Sequence, residues 1–390
     1  MRVCRSLQWA SLVLASFSAT AFGQTQSFWT NPAGGNYSDG SNWSLGSAGQ
    51  FPTFNLGSAG YTVTAQAGNG AQQFTVENDN PTFNLNGNTF NNAGLFVATG
   101  TGQNGSLTLQ GPGEILQAVN GAAVDVSLFN GSSTGTMTIN NATIFQQGIN
   151  ESMYFQNLTV ENGAQVEQDD QGGAIGATNL TENNGEFSTE SVGGMSLYGA
   201  VTLTNGSAAS SFGPVNVYGN VLLNDSAIAS GDEGITFNGD TTLTLANNAQ
   251  VNSEASVTLP SSTDIISGII RVPDSIYFGQ LLTIVLNPEI DNPFPVIGGG
   301  GPGFASGVLD FTLQGGFTPT LGEQFQIFRL GSGFSGTFDA VNEPSLPAGE
   351  TWDNNDLYTT GTISVVPEPT SIGLILAAGV LLLRRRSPKA

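Results

Sequence analysis

A group of neighbouring carboxylates is the best candidate for chemistry in this sequence. Asp169 and Asp170 are adjacent, and Glu161 and Glu167 precede them closely. Paired carboxylates cleave glycosidic bonds, with one acting as acid and the other as base or nucleophile. Adjacent residues of a β-strand point to opposite faces, however, so only one of the two aspartates would serve such a site.

The residue types that most catalytic sites require are missing. The sequence contains no histidine, and its one cysteine, Cys4, lies in a segment that we expect to be removed. This composition excludes a Ser-His-Asp triad, thiol catalysis, disulfides and zinc sites in the mature chain. We therefore expect a protein that is not an enzyme and has no catalytic residues. A glycan lyase or hydrolase, or a glycan-binding protein, is the alternative.

Calcium is the one cofactor that the composition leaves open. Carboxylate oxygens in Gly- and Asn-rich loops are suitable ligands for this ion. The candidate ligands are Asp169, Asp170, Asp232, Glu233, Asp353 and Asp356. Neither the spacing of an EF-hand nor a Gly-Gly-x-Gly-x-Asp repeat is present. The prediction is therefore no metal site and no cofactor-binding residues, with calcium as the alternative.

The charge of the chain is strongly negative and uneven. It has 8 Lys and Arg against 30 Asp and Glu, for a formal net charge of −22. Between residues 24 and 365 the only basic residues are Arg271 and Arg329, against 29 acids. Such a surface repels phosphate backbones, which argues against nucleic acid as a partner. It suits divalent cations or simple solubility outside the cell, where an exopolysaccharide is a candidate partner.

A short unit recurs at intervals of about 20 residues through the middle of the chain. The second apolar anchors of the units are Leu109, Ile139, Val160, Leu203, Leu223 and Leu245. Their spacings are 30, 21, 43, 20 and 22 residues, and the 43 covers two units because residues 180–187 are a weaker copy.

Each unit alternates apolar and polar residues, breaks at Asn-Gly, Asn-Asn or Asp-Ser, and then gives another apolar residue. Alternation indicates strands with one buried face, and Asn and Gly tolerate the left-handed backbone of a sharp corner. A repeat of this length matches one coil of a solenoid. The predicted fold is all-β, a right-handed parallel β-helix followed by a small β-sandwich-like domain. Antiparallel hairpins are the alternative for the repeats.

The predicted domains follow from these changes in pattern. Residues 24–66 form N-terminal cap strands, residues 67–260 the solenoid, and residues 261–365 the C-terminal β domain. Trp29 and Trp43 are expected to cover the open end of the solenoid, whose first coil otherwise exposes strand edges. A sugar-binding aromatic platform is the alternative role of these rings.

The segment 28–43 also resembles the N-terminal motif of exported β-helical proteins of the autotransporter-repeat and PEP-CTERM type. That motif has a Trp, then Gly-Gly-x-Trp, then Asn-Trp. Here Trp29, Gly34-Gly35 and Asn42-Trp43 match it, while Tyr37 stands where a second Trp is common. The resemblance implies an exported solenoid.

The first 23 residues have the pattern of a secretory signal peptide. Arg2 and Arg5 give a positive start, and Leu7–Phe17 supplies the apolar stretch. Small residues at Ala21 and Gly23 then predict cleavage between Gly23 and Gln24.

The C-terminal residues 366–390 combine three features in order. They are Pro367-Glu368-Pro369, an apolar stretch Ile372–Leu383, and the cluster Arg384-Arg385-Arg386. The arginines are expected to stay on the cytoplasmic side of a membrane. The two prolines keep the preceding segment from being helical.

This tail closely resembles the PEP-CTERM sorting signal of exported bacterial proteins. The resemblance implies recognition by a membrane exosortase, brief residence in the inner membrane through the apolar helix, removal of the tail, and release to the cell surface or outside the cell. Together with the signal peptide, it implies the secretion machinery as a partner. The predicted function is that of a non-enzymatic surface or extracellular-matrix protein with a structural or adhesive role.

Overall fold

The computed structural model describes residues 25–57, 60–117, 123–126, 133–148, 151–170, 172–288 and 295–368. Within them the chain is all-β, and a parallel β-solenoid of about 11 turns forms most of it. This confirms the predicted parallel β-helix. The antiparallel hairpins considered for the repeats are excluded, because the repeat strands pair in parallel. A single 3-10 turn, Gly40–Asn42, is the only helix among the described residues.

The coils contribute strands to three faces. Along the chain these follow one another in a fixed order, and we call them the first, second and third face. First-face strands carry the repeat anchors and pair with the coils on either side, as Leu109 does with Ile139. They are Gly35–Asn36, Thr62–Thr64, Thr82–Asn84, Asn104–Gln110, Thr134–Asn140, the second halves of Met153–Glu161 and Ile175–Asn183, Val201–Thr204, Val221–Asn224, Thr242–Ala246, Ser262–Ile265, Leu281–Leu286, Val308–Leu313 and Ala340–Asn342.

The second face is a separate parallel sheet of 12 strands among the described residues. Its strands are Gly70–Ala71, Thr89–Asn92, Glu114–Gln117, Thr143–Gly148, Gln165–Asp170, Glu186–Thr189, Ser207–Ser210, Ala227–Ser230, Ala249–Ser253, Gly268–Val272, Ile297–Gly299 and Phe328–Leu330.

The third face closes each coil and leads back to the first face. Its strands are Ser27–Phe28, Pro52–Phe54, Phe74–Val76, Gly94–Val97, Ala123–Val126, the first halves of Met153–Glu161 and Ile175–Asn183, Met195–Leu197, Val215–Val217, Ile235–Phe237, Val257–Thr258, Ile276–Tyr277, Gly303–Phe304 and Phe334–Ser335. The two long strands continue through a corner, so the first and third faces form one sheet.

The predicted anchors stack in register inside the solenoid. The column runs Leu109, Ile139, Val160, Glu182, Leu203, Leu223 and Leu245. All seven side chains are fully buried. The spacing of 43 residues between Val160 and Leu203 thus covers two coils, as predicted. Glu182 occupies the anchor position of the coil between them.

Left-handed residues make the corner between the first and second faces. They are Asn141, Asn162, Asn184, Asn205, Asp225 and Asn247, with φ between 49° and 58°. Asn and Asp are the non-Gly residues that enter this region most readily. The backbone N–H of Asn205 continues the pairing, because it donates to the carbonyl of Asn224 in the next coil. The predicted role of the Asn-rich breaks is therefore confirmed.

Buried polar side chains line the inside of the second face near its end. They stack in register as Gln117, Gln146, Gln168, Thr189, Ser210, Ser230 and Ser253. None is more than 6% exposed. Since a buried polar group without a partner is destabilising, such a ladder favours one register of the coils.

An aromatic cluster fills the N-terminal end of the solenoid. The rings of Trp29 and Trp43 meet edge to face at 5.0 Å, and Tyr37 packs on Trp43 at 5.3 Å. The Ser44 N–H donates to the Phe28 carbonyl, so the chain beyond the 3-10 turn pairs antiparallel along the first strand. All three rings are buried, which rules out their use as a sugar platform.

Parallel pairing does not change at residue 260, where the C-terminal domain was predicted to begin. Ile265 pairs with Ile284, and Leu309 pairs with Val341, both in parallel. Ile265 and Ile284 continue the buried column after Leu245, but without Asn-rich corners, which is why the repeat was not recognised there.

A small antiparallel sheet follows the last coils. Its strands are Gln324–Gln326, Glu350–Asp353 and Thr362–Pro367. Phe325, in the middle of the edge strand Gln324–Gln326, is buried against Trp352 and Phe317. The C-terminal β unit thus exists but is smaller than predicted, because Phe328–Leu330 already belongs to the second face.

Candidate functional site

The carboxylates considered for glycan cleavage are divided between two faces. Glu161 ends a first-face strand and accepts a hydrogen bond of 2.8 Å from Asn140 Nδ2. Glu167 and Asp169 point outward from the second face, and the Asp170 side chain lies outside the described residues. Glu161 is therefore not brought together with the other acids.

Burial raises the pKa of Glu167, and further acids add to the effect. Those acids are Glu186, Glu190, Asp169 and Glu114. Gln147 Nε2 donates to Asp169 at 3.5 Å. Arg271 and Arg329 are exposed in other coils of the same face. The patch is thus an acidic surface, and it gives no support for a catalytic pair.

The residues considered for calcium lie in separate places. Asp232 and Glu233 are exposed in the turn before Ile235–Phe237, several coils from Asp169. Asp353 accepts from Asn355 Nδ2 at 2.6 Å and lies in the antiparallel sheet. Asp356, in the following turn, accepts from Thr359 Oγ1 at 3.3 Å. Across the described residues, no group of three or more potential ligands is arranged to hold a metal ion.

The predicted sorting motif begins where the fold ends. Pro367 is the last residue of the final strand and pairs with Glu350. The N–H of Glu368 donates to the Gly349 carbonyl at 3.0 Å, and its side chain is exposed. Outside the described residues lie Pro369, Arg384, Arg385, Arg386, Gly23 and Gln24.

In the described part of the chain, no helix has the length and apolar character needed to span a membrane. The apolar segment Ile372–Leu383 and the signal peptide both lie outside that part.

Two exposed tyrosines mark a surface that the sequence interpretation missed. Tyr198 and Tyr218 follow consecutive third-face strands and are 46% and 47% exposed. Their rings stack with centroids 5.4 Å apart and planes 10° apart. Large aromatic side chains usually lie in a core or an interface, so a stacked, exposed pair is unusual.

Glycine makes this stack possible. A Cβ added to Gly219 would lie 1.7 Å from the Gly199 carbonyl oxygen. A Tyr-Gly pair at this corner therefore lets successive coils approach closely while each ring projects outward. The signal in the sequence was the recurrence of Tyr-Gly after one period of 20 residues, at Tyr198 and Tyr218.

An open cleft of about 570 Å³ continues the same corner in the following coils. Its apolar walls are Phe237, Leu259 and Phe278, and its polar groups include Ser261, Gln280, Ser306 and Asp339. This volume lies in the usual range for ligand sites. We refer to Tyr198, Tyr218 and this cleft together as the aromatic corner.

Glu182 is the second feature that the sequence interpretation missed. Its side chain is fully buried between Val160 and Leu203, and neither carboxyl oxygen has a hydrogen-bond partner. The neighbouring Ser207 N–H donates to the Gly185 carbonyl instead. Burial raises the pKa of Glu182 well above its usual value, and the neutral acid is the form that suits this site.

In comparisons with known proteins, no family model, no curated protein and no solved structure matched the chain.

Proposed function

We propose that the chain is an exported, non-enzymatic protein of the cell surface or extracellular matrix, with a structural or adhesive role. The observation that carries the proposal is that the described fold, a long solenoid followed by a small antiparallel sheet, ends at the predicted sorting motif. About 11 coils separated by the usual distance between strands make a rod of about 50 Å. A rod of this kind offers long, regular faces to a matrix.

The position of Pro367 supports sorting by an exosortase. The motif begins at the last paired residue of the fold, so the rod would be held close to the membrane until the tail is removed. In this proposal, Arg384 to Arg386 stop export, and the apolar stretch spans the inner membrane for a short time. Cleavage then releases the rod to the outside.

Composition supports the same setting. The predicted mature chain has no cysteine, and acids greatly outnumber bases in it. High net charge favours solubility and opposes association with anionic polymers. A surface protein of this composition is expected to select uncharged or cationic partners.

A glycan-cleaving enzyme is the competing proposal, since the aromatic corner contains Asp339. Glycoside hydrolysis normally needs two carboxyl groups. Among the described residues that line the cleft, Asp339 is the only carboxylate. This arrangement favours binding over cleavage.

The test of the proposal is fractionation of the producing cells. The wild-type protein is expected mainly at the cell surface or in the medium. Glu368→Ala removes the acid of the motif and should leave most of the protein in the inner membrane, whereas the exposed, distant Glu254→Ala should behave like the wild type. Retention of the wild type in the inner membrane, or normal release of Glu368→Ala, would contradict the proposal.

A further inference from the structure

We propose that the aromatic corner binds a neutral polysaccharide, with a pyranose ring stacked on Tyr218 and sugar hydroxyls directed into the cleft. The inference rests on the proposed function, because it specifies the partner of the surface protein.

One ring face of Tyr218 is covered, while the side chain as a whole is 47% exposed. Tyr198 covers the face toward the preceding coil, because the two rings are nearly parallel and one coil apart. In the next coil the corresponding position is Asn238, so the aromatic stack ends there. The second face of Tyr218 is therefore turned toward Asn238 and Gly239, and Gly239 lines the cleft.

An aromatic face suits the C–H face of a sugar. The face of a tyrosine ring carries partial negative charge, and the axial C–H groups of a pyranose carry partial positive charge. The stack also holds Tyr218 in place, because its ring is supported by Tyr198. Less side-chain entropy is then lost when a ligand binds.

The cleft supplies hydrogen-bonding groups beside this ring. Gln280 and Ser306 are exposed, and Ser261 is half-buried. Ser306 Oγ donates to the Phe278 carbonyl at 3.0 Å, which leaves its lone pairs for a ligand hydroxyl. Phe237 and Phe278 form an apolar floor. The apolar rings can contact the C–H groups of a sugar, and the amide and hydroxyl groups can hydrogen-bond with its hydroxyls.

The charge of the surface determines which polysaccharide fits. The outward row of the third face is uncharged from Tyr154 to Ser335. It runs Tyr154, Gly176, Ser196, Asn216, Thr236, Thr258, Tyr277, Phe304 and Ser335. A protein with 29 acids against two bases between residues 24 and 365 thus has a long neutral strip. The net negative charge of the protein repels anionic polymers, but it does not repel neutral polymers.

A second aromatic stack on the same strip, with an exposed Tyr277 and a half-buried Phe304, indicates that the ligand is a polymer. Tyr277 and Phe304 stack with centroids 4.6 Å apart and planes 4° apart. Asn216, in the coil of Tyr218, is separated from Tyr277 by Thr236 and Thr258 in register. Three coil steps span about 14 Å along the axis. A chain of several sugars could reach both stacks.

Affinity electrophoresis of the full-length protein in native gels tests the proposal. The gels contain hydroxyethyl-cellulose, dextran, or the anionic polygalacturonate. Retardation is expected in a neutral gel and not in polygalacturonate. Tyr218→Ala should weaken binding by about tenfold, as expected for a central aromatic contact. Tyr218→Phe keeps the ring and should retain binding.

Leu222→Ala is the matched control, because Leu222 is 42% exposed in the same coil but on the first face. It should bind like the wild type. The proposal is wrong if no neutral gel retards the protein, if only polygalacturonate does, or if Tyr218→Ala binds normally while remaining folded by circular dichroism.

The same samples separate this proposal from the proposed function. Tyr218→Ala is expected to be exported and processed normally, so loss of binding with normal release affects only the glycan site. Release of new reducing ends from a neutral glycan would keep the binding site but contradict the non-enzymatic role. Failure of the wild type to leave the membrane would contradict the proposed function whatever the gels show.

Discussion

Thr189 Oγ1 donates a hydrogen bond of 3.0 Å to Gln168 Oε1, one coil away, in the interior of the solenoid. Gln168 in turn donates from Nε2 to the Glu151 carbonyl at 2.6 Å and to Gln146 Oε1 at 3.3 Å. Both side chains are buried. The hydroxyl of Thr189 thus satisfies the amide oxygen of Gln168, which is buried away from water.

Thr189→Val is therefore expected to be destabilising although its shape hardly changes. The substitution removes the donor to Gln168 and the acceptor of the Ser191 N–H. Leaving such groups unpaired should lower the free energy of unfolding by about 1–3 kcal/mol. Urea unfolding measures this change. Thr202→Val, on the outside of the first face, should change it by less than about 0.5 kcal/mol; equal losses in the two variants would contradict the ladder's role.

The left-handed corner gives a second prediction. Asn205 has φ of 50° and is exposed, so backbone conformation should dominate the effect of replacing it. Asn205→Ala should lower the free energy of unfolding by about 1 kcal/mol, because Ala enters the left-handed region less readily than Asn, whose short polar side chain can hydrogen-bond locally. Asn205→Gly is the matched variant and should be as stable as the wild type within about 0.5 kcal/mol. Equal stability of the Ala and Gly variants would show that the corner carries no such strain.

Glu182 predicts an unusual dependence of stability on pH. The usual pKa of a glutamic acid is 4.5, and burial raises the pKa of Glu182 in the folded protein. Above pH 4.5 the folded protein therefore keeps the proton of Glu182, whereas the unfolded chain releases it. The stabilising contribution of this proton is present below that pH and is lost as pH rises toward the raised pKa. Glu182→Leu removes the buried acid and restores the apolar column. Its free energy of unfolding at neutral pH should exceed that of the wild type by about 1–3 kcal/mol.

Urea unfolding at several pH values checks this prediction. The advantage of Glu182→Leu should grow as the pH increases above 4.5. The exposed Glu233→Leu removes the same charge and serves as the control, for which no comparable gain in stability is expected. An advantage of Glu182→Leu that stays constant with pH would contradict a buried neutral acid.

The fold could be predicted because two periodicities are visible in the sequence: the alternation of apolar and polar residues within a strand, and the repeat of about 20 residues from coil to coil. Leu203, Leu223 and Leu245 alternate with polar residues and are followed by Asn or Asp at the corner, so strand, face and turn are all marked locally. Glu182 did not fit this pattern, because a carboxylic acid is not expected at a core position. It can be buried there only in its neutral form, which burial itself favours by raising the pKa. The coils after residue 260 lacked Asn corners, and their strands resembled a separate domain.

The aromatic corner could not be predicted in the same way. Tyr198 and Tyr218 each look like an ordinary aromatic residue near the end of a strand. Their stacking depends on the coil spacing and on the close approach at Gly219. Phe237 and Phe278 are in different coils, and only the register of the third face places both in one cleft.

The most direct test of the account is the intact mass of the protein isolated from the surface or medium of its host. We predict a chain that begins at Gln24 and has lost the apolar segment and the arginines that follow Pro369, with any attached group visible as added mass. A product that still contains Arg384 to Arg386, recovered from the inner membrane, would contradict it.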